Sequence, residues 1–243
     1  MTTHLFTEDA YAQTCDATVM ATSAAGIELN QTVFYPTSGG QPGDAGFLER
    51  ADGSRITVTS ANYADGSKTT ILHQVEDGAA LPDVGEELIA HVDWERRHKL
   101  MRMHTACHLL SVIVPLPITG ASVSETDSRI DFDMTETADK AEITDKLMAL
   151  VNENHPVFTR WITADELSAH PELVKSKNVR PPTTADRIRL VCIGEDAAVD
   201  SQPCGGTHVS ETGELGDTHI GKIEKKGREN RRMRIRFGPL PQN

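Results

Sequence analysis

Two short histidine-containing segments, far apart in the chain, carry the side chains best suited to chemistry: His104-Thr-Ala-Cys-His108 and Cys204-Gly-Gly-Thr-His208. Residues four apart on a helix share a face, so the first pair can present its two imidazoles to one ion. The second pair has the same spacing but contains two glycines, which is typical of a tight turn. Together His104, His108, Cys204 and His208 form a mixed nitrogen and sulfur set suited to one tetrahedral zinc ion. Either pair alone is also compatible with ordinary core or surface histidines, so the hypothesis depends on both.

The residues around these pairs indicate a family. The segments MHTACHLLS, SRIDFDM and DSQPCGGTHVSETGELG resemble the editing domain of alanyl-tRNA synthetase and its free-standing relatives, the AlaX proteins. Further upstream, QTVFYPTSGGQPGDAGFL is similar to the glycine-rich segment that precedes this domain in the synthetase and in two-domain AlaX proteins. The resemblance covers nearly the whole chain. It implies a trans-editing hydrolase that uses zinc to remove serine from mischarged alanine tRNA, with glycyl-tRNA of the same tRNA as a second candidate substrate.

Thr105 stands where common metalloproteases carry a glutamate base, because the first motif is not His-Glu-x2-His. Amide cleavage needs strong activation of water and protonation of a poor leaving group, whereas an aminoacyl ester has a good one. The resemblance implies that the Thr105 hydroxyl recognises serine. A site that hydrogen-bonds a substrate hydroxyl rejects the analogue lacking it by roughly 10⁴-fold. The alternative is a helical threonine bonded to the carbonyl of Met101.

Gly39 and Gly40 lie in the block Ser38–Asp44, which contains a run of glycines and Pro42. One interpretation is a barrel loop that needs positive φ angles and has no further function. The other, implied by the resemblance, is a flap over the editing pocket that helps catalysis. The sequence leaves the two open.

Several residues near the motifs have predicted supporting parts. Gly205 and Gly206 are predicted to turn the backbone so that the two ligands beside them meet. Asp200 and Ser201 are candidate partners of the ligands. Cys107 is interpreted as a helix core residue, because cysteine is commonly buried.

One segment departs from the family pattern. Synthetase editing domains carry a glutamine just ahead of the Arg-x-Asp-Phe strand, but ITGASVSETDSRIDF contains none and is shorter. The nearest polar candidates are Ser122 and Ser124.

The charge distribution restricts any RNA contact to two basic stretches. The net charge of −12 argues against a generic nucleic-acid binder. Residues 219–243 nevertheless carry 8 basic and 2 acidic side chains, and a second basic stretch precedes the first motif. Phosphate neutralisation needs clustered cations, although a solvated helix face and a basic strand edge would look the same. The predicted RNA-binding residues are Arg96, Arg97, Lys99, Lys225, Lys226 and Arg228.

Composition predicts a cytoplasmic globular protein. The chain of 243 residues is 38% hydrophobic and holds 18 glycines, which is enough for a packed core. No apolar run is long enough for a membrane span, and the N-terminus lacks the features of a signal peptide. The four cysteines are scattered, as expected for reduced thiols. We expect mischarged alanine tRNA as the partner, no obligate protein partner, and no room for the aminoacylation domain of a full synthetase.

The predicted fold class is α+β, with a small N-terminal β-barrel followed by a zinc-containing α+β editing domain. Residues 1–93 contain short β-rich runs separated by glycine, aspartate and proline, typical of a barrel, and the resemblance implies one similar to that of an elongation factor. Residues 94–243 mix strands and helices. Within them we predict a helix capped by Asp93 and a final hairpin that turns near 227–230.

Two other functions remain open from the sequence. A non-catalytic, zinc-stabilised tRNA-binding module would need all four ligands but neither Thr105 nor the glycine-rich loop. A metal hydrolase of other small esters or amides would use the same ion without recognising tRNA.

Overall fold

The computed structural model describes residues 1–178 and 187–241. It contains two compact units, Met1–His98 and Lys99–Asn243. The domain boundary predicted after residue 93 stays a prediction. Among the described residues, no helix is long and apolar enough to cross a membrane.

The first unit is built mainly of strands. They are β1 (Thr3–His4), β2 (Thr14–Ser23), β3 (Gly26–Leu29), β4 (Gln31–Thr32), β5 (Gly46–Glu49), β6 (Arg55–Tyr63), β7 (Ile71–Val75) and β8 (Glu87–Val92). Six of them close a barrel in the order β2-β3-β7-β6-β5-β8, which confirms the predicted barrel. Each barrel neighbour is antiparallel. Because side chains alternate across a strand, one face of each points into a packed core, which includes Val19, Leu29, Leu48, Val58 and Ile71.

A buried ion pair fastens the glycine-rich block to the barrel unit. The guanidinium of Arg97 is fully buried and donates to both carboxylate oxygens of Asp44 and to the carbonyls of Ala10 and Val33. Asp44 also accepts from the backbone N–H of Tyr35 at 2.6 Å. The donors of Arg97 face internal acceptors rather than solvent, and RNA binding by Arg97 stays a prediction.

The second unit combines helices with two sheets. Helix α1 (Trp94–Ile113) begins in the first unit, and α2 (Lys140–Asn152) and α3 (Ala164–Ala169) follow. The strands are β9 (Ile118–Ser122), β10 (Asp127–Asp133), β11 (Val157–Ile162), β12 (Ile188–Ile193), β13 (Asp200–Pro203), β14 (Thr218–Gly227) and β15 (Asn230–Phe237). One sheet has the order β14-β15-β10-β9 and the other β11-β12-β13.

Local signals explain where these elements begin and end. The Asp93 carboxylate accepts from the N–H of Arg96 at 3.1 Å, as predicted for a cap. Helix α1 ends just before Pro115, since proline cannot continue the hydrogen-bond ladder. The final hairpin pairs Gly227 with Asn230, which confirms the predicted turn.

Candidate metal centre

Two elements of the second unit bring the predicted ligands together. Helix α1 carries His104 and His108 one turn apart, and the loop after β13 carries Cys204 and His208. Their candidate ligand atoms all lie within 4.8 Å of one another. The two motifs thus converge although almost a hundred residues separate them, and three of the four side chains are buried.

The spacing of the sulfur and nitrogen atoms fits zinc. The Sγ atom of Cys204 lies 3.6 Å from Nε2 of His104 and 3.4 Å from Nε2 of His208. With Zn–S of about 2.3 Å and Zn–N of about 2.0 Å, tetrahedral geometry separates sulfur from nitrogen by about 3.5 Å. The residues present therefore match the donor set and the dimensions of a zinc site.

The outer nitrogens of two ligands are held by partners of different chemistry. The Nδ1 atom of His208 lies 3.0 Å from the hydroxyl of Thr105, which is fully buried. The Nδ1 atom of His108 lies 3.1 Å from the carboxylate of Asp200. Fixing the outer nitrogen of an imidazole orients the ring and leaves the other nitrogen for a metal. Asp200 is thereby confirmed as a ligand partner, whereas the Ser201 hydroxyl lies 3.5 Å from Cys192 instead.

Arg189 of β12 holds the loop that carries the second ligand pair. Its guanidinium donates to the carbonyls of Cys204 at 3.0 Å and Gly206 at 2.8 Å. Its own carbonyl accepts from the N–H of Cys204 at 3.1 Å. The φ angles of Gly205 and Gly206 lie outside the left-handed region. That these two glycines allow the backbone to turn the two ligands together stays a prediction.

The electrostatics favour the metal-binding form for two of the four ligands, Cys204 and His208. For His108, burial alone would lower the pKa, but hydrogen bonds to Asp200 and Cys204 raise it to about 9, so a bound metal would have to displace a proton from this ring. Burial opposes a charged thiolate, but the imidazoles of His104 and His208 hold the pKa of the Cys204 thiol well below its usual value. Burial, together with His104 and His108, lowers the pKa of His208 and favours its neutral form. Thiolate and neutral imidazole are the forms that bind metal. By contrast, burial raises the pKa of Cys107 to about 12, which agrees with an inert core thiol.

Sequence reasoning missed the side chains that surround Asp200. The ammonium group of Lys175 donates to one carboxylate oxygen, and the amide of Gln202 donates to the other at 2.7 Å. Both also contact the hydroxyl of Ser111, at 3.2 Å. No motif marks Lys175 or Ser111, and only the proximity of Gln202 to the second pair offered a signal.

Gly39 and Gly40 occupy the central positions of a tight turn in the first unit. Their φ angles are +57° and +84°, as a type I′ turn requires. Ser38 and Gln41 close the turn with two backbone hydrogen bonds, of 3.1 and 2.9 Å. The predicted need for positive φ is therefore confirmed, and the flap interpretation stays a prediction.

The predicted RNA-binding residues differ in their exposure and in whether they pair with carboxylates. Lys225 and Arg228 are exposed at the final hairpin, as is Lys226, which pairs with Glu224 at 3.3 Å. Arg96 is half-buried and donates to the carbonyl of Gly43 at 2.8 Å, and Lys99 is half-buried. Other arginines of the basic tail lie in ion pairs across the sheet, among them Arg232, Arg234 and Arg236.

The segment that lacks the glutamine forms a compact turn before β10. The hydroxyl of Ser124 accepts from the N–H of Asp127 at 3.0 Å, and its own N–H donates to Ser128 at 3.0 Å. Ser122 lies at the end of β9, opposite Arg129. Ser124 thus has a local structural part, and nothing in the described residues assigns it to the metal centre.

Comparison with known proteins relates parts of both units to aminoacyl-tRNA synthetases. Residues 188–234, which include Cys204 and His208, match the second additional domain of threonyl and alanyl tRNA synthetases. Residues 4–96, which form the barrel, match the model of class II (A) tRNA synthetases. The fold and these matches therefore place the chain in the class of proteins that share domains with aminoacyl-tRNA synthetases.

Free-standing relatives narrow this class. The alanyl-tRNA editing protein AlaX-M of Saccharolobus solfataricus is 30% identical over 96% of this chain and 98% of its own length. AlaX-M of Methanosarcina mazei is 34% identical over 96% of this chain and 95% of its own. The alanine–tRNA ligase of Pyrobaculum aerophilum is 34% identical over 92% of this chain but only 25% of its own length. This chain belongs to the AlaX family of alanyl-tRNA editing proteins, and it is accordingly an aminoacyl-tRNA deacylase.

Proposed function

We propose that this protein hydrolyses the ester of serine mischarged onto alanine tRNA, in trans and in the cytoplasm, and releases serine and free tRNA. Glycyl-tRNA of the same tRNA is the proposed second substrate. The observation that carries the proposal is the convergence of His104, His108, Cys204 and His208 beside the hydroxyl of Thr105. In the reaction water adds to the ester carbonyl, the bond to the ribose oxygen breaks, and that oxygen takes up a proton.

The four residues would hold one zinc ion, and as a Lewis acid that ion would polarise the ester carbonyl or lower the pKa of water. This chemistry requires that one coordination position be open to water or substrate. The protein itself supplies orientation. Asp200 and Thr105 fix the rings of His108 and His208. Arg189 fixes the loop of Cys204. An aminoacyl ester needs less activation than an amide, so a site without a glutamate base at position 105 is adequate for it.

Thr105 is proposed to recognise serine by donating a hydrogen bond from its hydroxyl to the oxygen of the serine hydroxyl. If Nε2 of His208 faces the ion, Nδ1 carries the proton and donates to the Thr105 oxygen. The proton of the Thr105 hydroxyl then remains available for the serine oxygen. Alanine has no such oxygen, so a filter for size alone would accept it, whereas this filter would not.

The acceptor stem is proposed to contact the exposed cations of the final hairpin, Lys225, Lys226 and Arg228. Lys226 pairs with Glu224, and the arginines of β15 also pair with carboxylates, so Lys225 and Arg228 are proposed as the main phosphate contacts. Arg96 and Lys99 stay as predicted contacts.

A side-by-side deacylation assay tests the proposal. Ser-tRNA and Ala-tRNA, both made on alanine tRNA, are incubated with catalytic amounts of protein. We expect rapid loss of serine, slow loss of alanine, and loss of turnover in Cys204→Ala. Cys192→Ala is the matched control, because it also removes a buried thiol but leaves the four ligands intact.

Two results would favour the other functions. Stoichiometric binding of charged tRNA without turnover indicates a non-catalytic binding module. Cleavage of a simple activated ester with no competition from added tRNA indicates a general metal hydrolase.

A further inference from the structure

We propose that Asp200, held by Lys175, is a positioning residue that presents His108 to the metal ion. This inference rests on the metal site of the proposed function and assigns it two supporting residues. The Asp200 side chain is 1% exposed, and its Oδ2 atom lies 3.1 Å from Nδ1 of His108.

The carboxylate determines which nitrogen of His108 carries the proton. An ionised carboxylate can only accept hydrogen bonds, so Nδ1 must be the donor. In a neutral imidazole the lone pair then resides on Nε2, the nitrogen suited to the ion. A hydroxyl imposes no such rule, because it can donate or accept. The Thr105 hydroxyl beside His208 therefore orients its ring without choosing the tautomer by itself.

Both carboxylate oxygens of Asp200 accept hydrogen bonds from neighbouring side chains. Lys175 donates to Oδ1, and Gln202 and His108 donate to Oδ2. A buried carboxylate without such partners would be costly. Lys175 also balances the negative charge, so the pair adds no net charge behind His108.

The same network is tied to the helix that carries His108. The hydroxyl of Ser111 donates to the carbonyl of His108 at 2.7 Å. Its lone pairs are then free to accept from Lys175 and Gln202, each at 3.2 Å. The ring and the backbone of His108 are thus held by one set of hydrogen bonds that reaches from α1 to β13.

The test compares metal binding by wild type, Asp200→Asn and Asp131→Asn. Asp131 is the control, since it too is a buried carboxylate in ion pairs, with Arg129 and Arg232, but it lies in the other sheet. Zinc affinity is measured by competition with a chromophoric chelator, and ligand geometry by the absorption spectrum of the cobalt(II) form. We expect Asp200→Asn to weaken zinc binding by about 10- to 100-fold and to alter the cobalt spectrum. We expect Asp131→Asn to match wild type in both.

The Lys175→Met variant distinguishes the positioning of His108 by Asp200 from the stability that the ion pair adds to the fold. Removing the cation leaves Asp200 on His108, so we expect the cobalt spectrum to stay that of wild type while the melting temperature of the metal-free protein falls. An Asp200→Asn protein with the zinc affinity and cobalt spectrum of wild type would overturn the proposal. Equal changes in the cobalt spectra of Asp200→Asn and Lys175→Met would also overturn it, because the effect would then belong to the ion pair and not to the carboxylate of Asp200.

A measurement on wild type keeps the proposal testable if the variants do not fold. Long-range ¹H–¹⁵N spectra of the zinc-loaded protein should show His108 protonated at Nδ1, and protonation at Nε2 would overturn the proposal. Failure of the proposed function is distinguishable from failure here. A protein that binds zinc with this dependence on Asp200 but does not hydrolyse Ser-tRNA refutes only the proposed function.

Discussion

The hydroxyl oxygen of Thr105 lies 3.0 Å from Nδ1 of His208, so a residue inside the first motif contacts a candidate ligand of the second. Other hydroxyls on helices of this protein bond back to the preceding turn. Ser111 donates to the carbonyl of His108 and Thr144 to that of Lys140. Thr105 instead bonds across to the loop, rather than to the carbonyl of Met101. A single hydroxyl therefore links the geometry of the metal centre to the proposed recognition of serine.

This link predicts that Thr105→Val affects two properties at once. Valine keeps the shape but removes the hydroxyl, so selectivity for Ser-tRNA over Ala-tRNA should fall by about 10²-fold or more. Zinc affinity should also fall, by about tenfold, because the ring of His208 loses its partner. Thr105→Ser restores the hydroxyl and should retain both. Unchanged selectivity in the valine variant would refute recognition by Thr105, whatever the zinc affinity.

The glycine-rich block Ser38–Asp44 predicts opposite outcomes for substitutions at two of its glycines, Gly39 and Gly43. A Cβ at Gly39 would meet nothing within 4 Å, and asparagine tolerates its positive φ. Gly39→Asn should therefore leave thermal stability unchanged within about 0.5 kcal/mol. A Cβ at Gly43 would lie 2.0 Å from the carbonyl oxygen of Ala61. Gly43→Ala should destabilise the protein by about 3 kcal/mol in urea unfolding.

The stable Gly39→Asn variant also tests the flap interpretation. If the turn approaches the substrate, the added side chain should slow deacylation while leaving bound zinc unchanged. Full deacylase activity in this variant would indicate that Gly39 has only a structural role. Gly39→Ala/Gly40→Ala is a weaker test, because both alanines would also strain the turn.

Buried His73 predicts a pH dependence of stability. Its Nδ1 lies 3.0 Å from the carbonyl of Ile27 and its Nε2 lies 2.8 Å from the hydroxyl of Thr32. Burial lowers the pKa of His73 to about 4, against 6.5 for the free side chain. Between these two pH values the imidazole of His73 is protonated in the unfolded chain but neutral in the folded chain. Stability is therefore lost as the pH falls through this window, by about 3 kcal/mol in all.

Urea unfolding at pH 7 and pH 5 checks this dependence. The loss between the two should be about 2 kcal/mol smaller in His73→Gln than in wild type. His170→Gln, which removes an exposed imidazole, is the control and should behave like wild type. Equal losses of stability between pH 7 and pH 5 in all three proteins would show that His73 does not cause the destabilisation at acid pH.

The exposed hairpin cations predict a salt effect. Lys225→Ala and Arg228→Ala should each weaken tRNA binding and reduce the slope of log affinity against log salt by about 1. Lys146→Ala is the control, since it removes an equal charge from an exposed lysine of α2. A slope that changes only in the control would exclude the hairpin from the RNA contact. Binding isotherms at several salt concentrations supply the measurement.

Much of the fold was predictable because its signals are local. Alternating strands with glycine and proline between them predicted the barrel, and Asp93 predicted the start of α1. The final hairpin turns where its glycine and asparagine indicated. These signals act over a few residues, so the chain alone expresses them.

Long-range partners were not predictable in the same way. Arg97 looked like one of several clustered cations, yet it is buried on Asp44. Arg189 and Lys175 carried no motif, yet they hold the loop of Cys204 and the carboxylate of Asp200. A cation pairs with whichever carboxylate or carbonyl the packing of the strands brings near it, and no spacing along the chain records that choice.

By itself, the sequence determined the four ligand types, their pairing by spacing, and the strand and helix pattern around them, because these depend on backbone periodicity and side-chain chemistry. Only the tertiary structure decided that the two pairs converge within 4.8 Å, and that Thr105 and Asp200 take the outer nitrogens of His208 and His108. The physical reason is that hydrogen bonds and metal sites are short-range. Their partners are selected by the packing of segments that are distant in sequence.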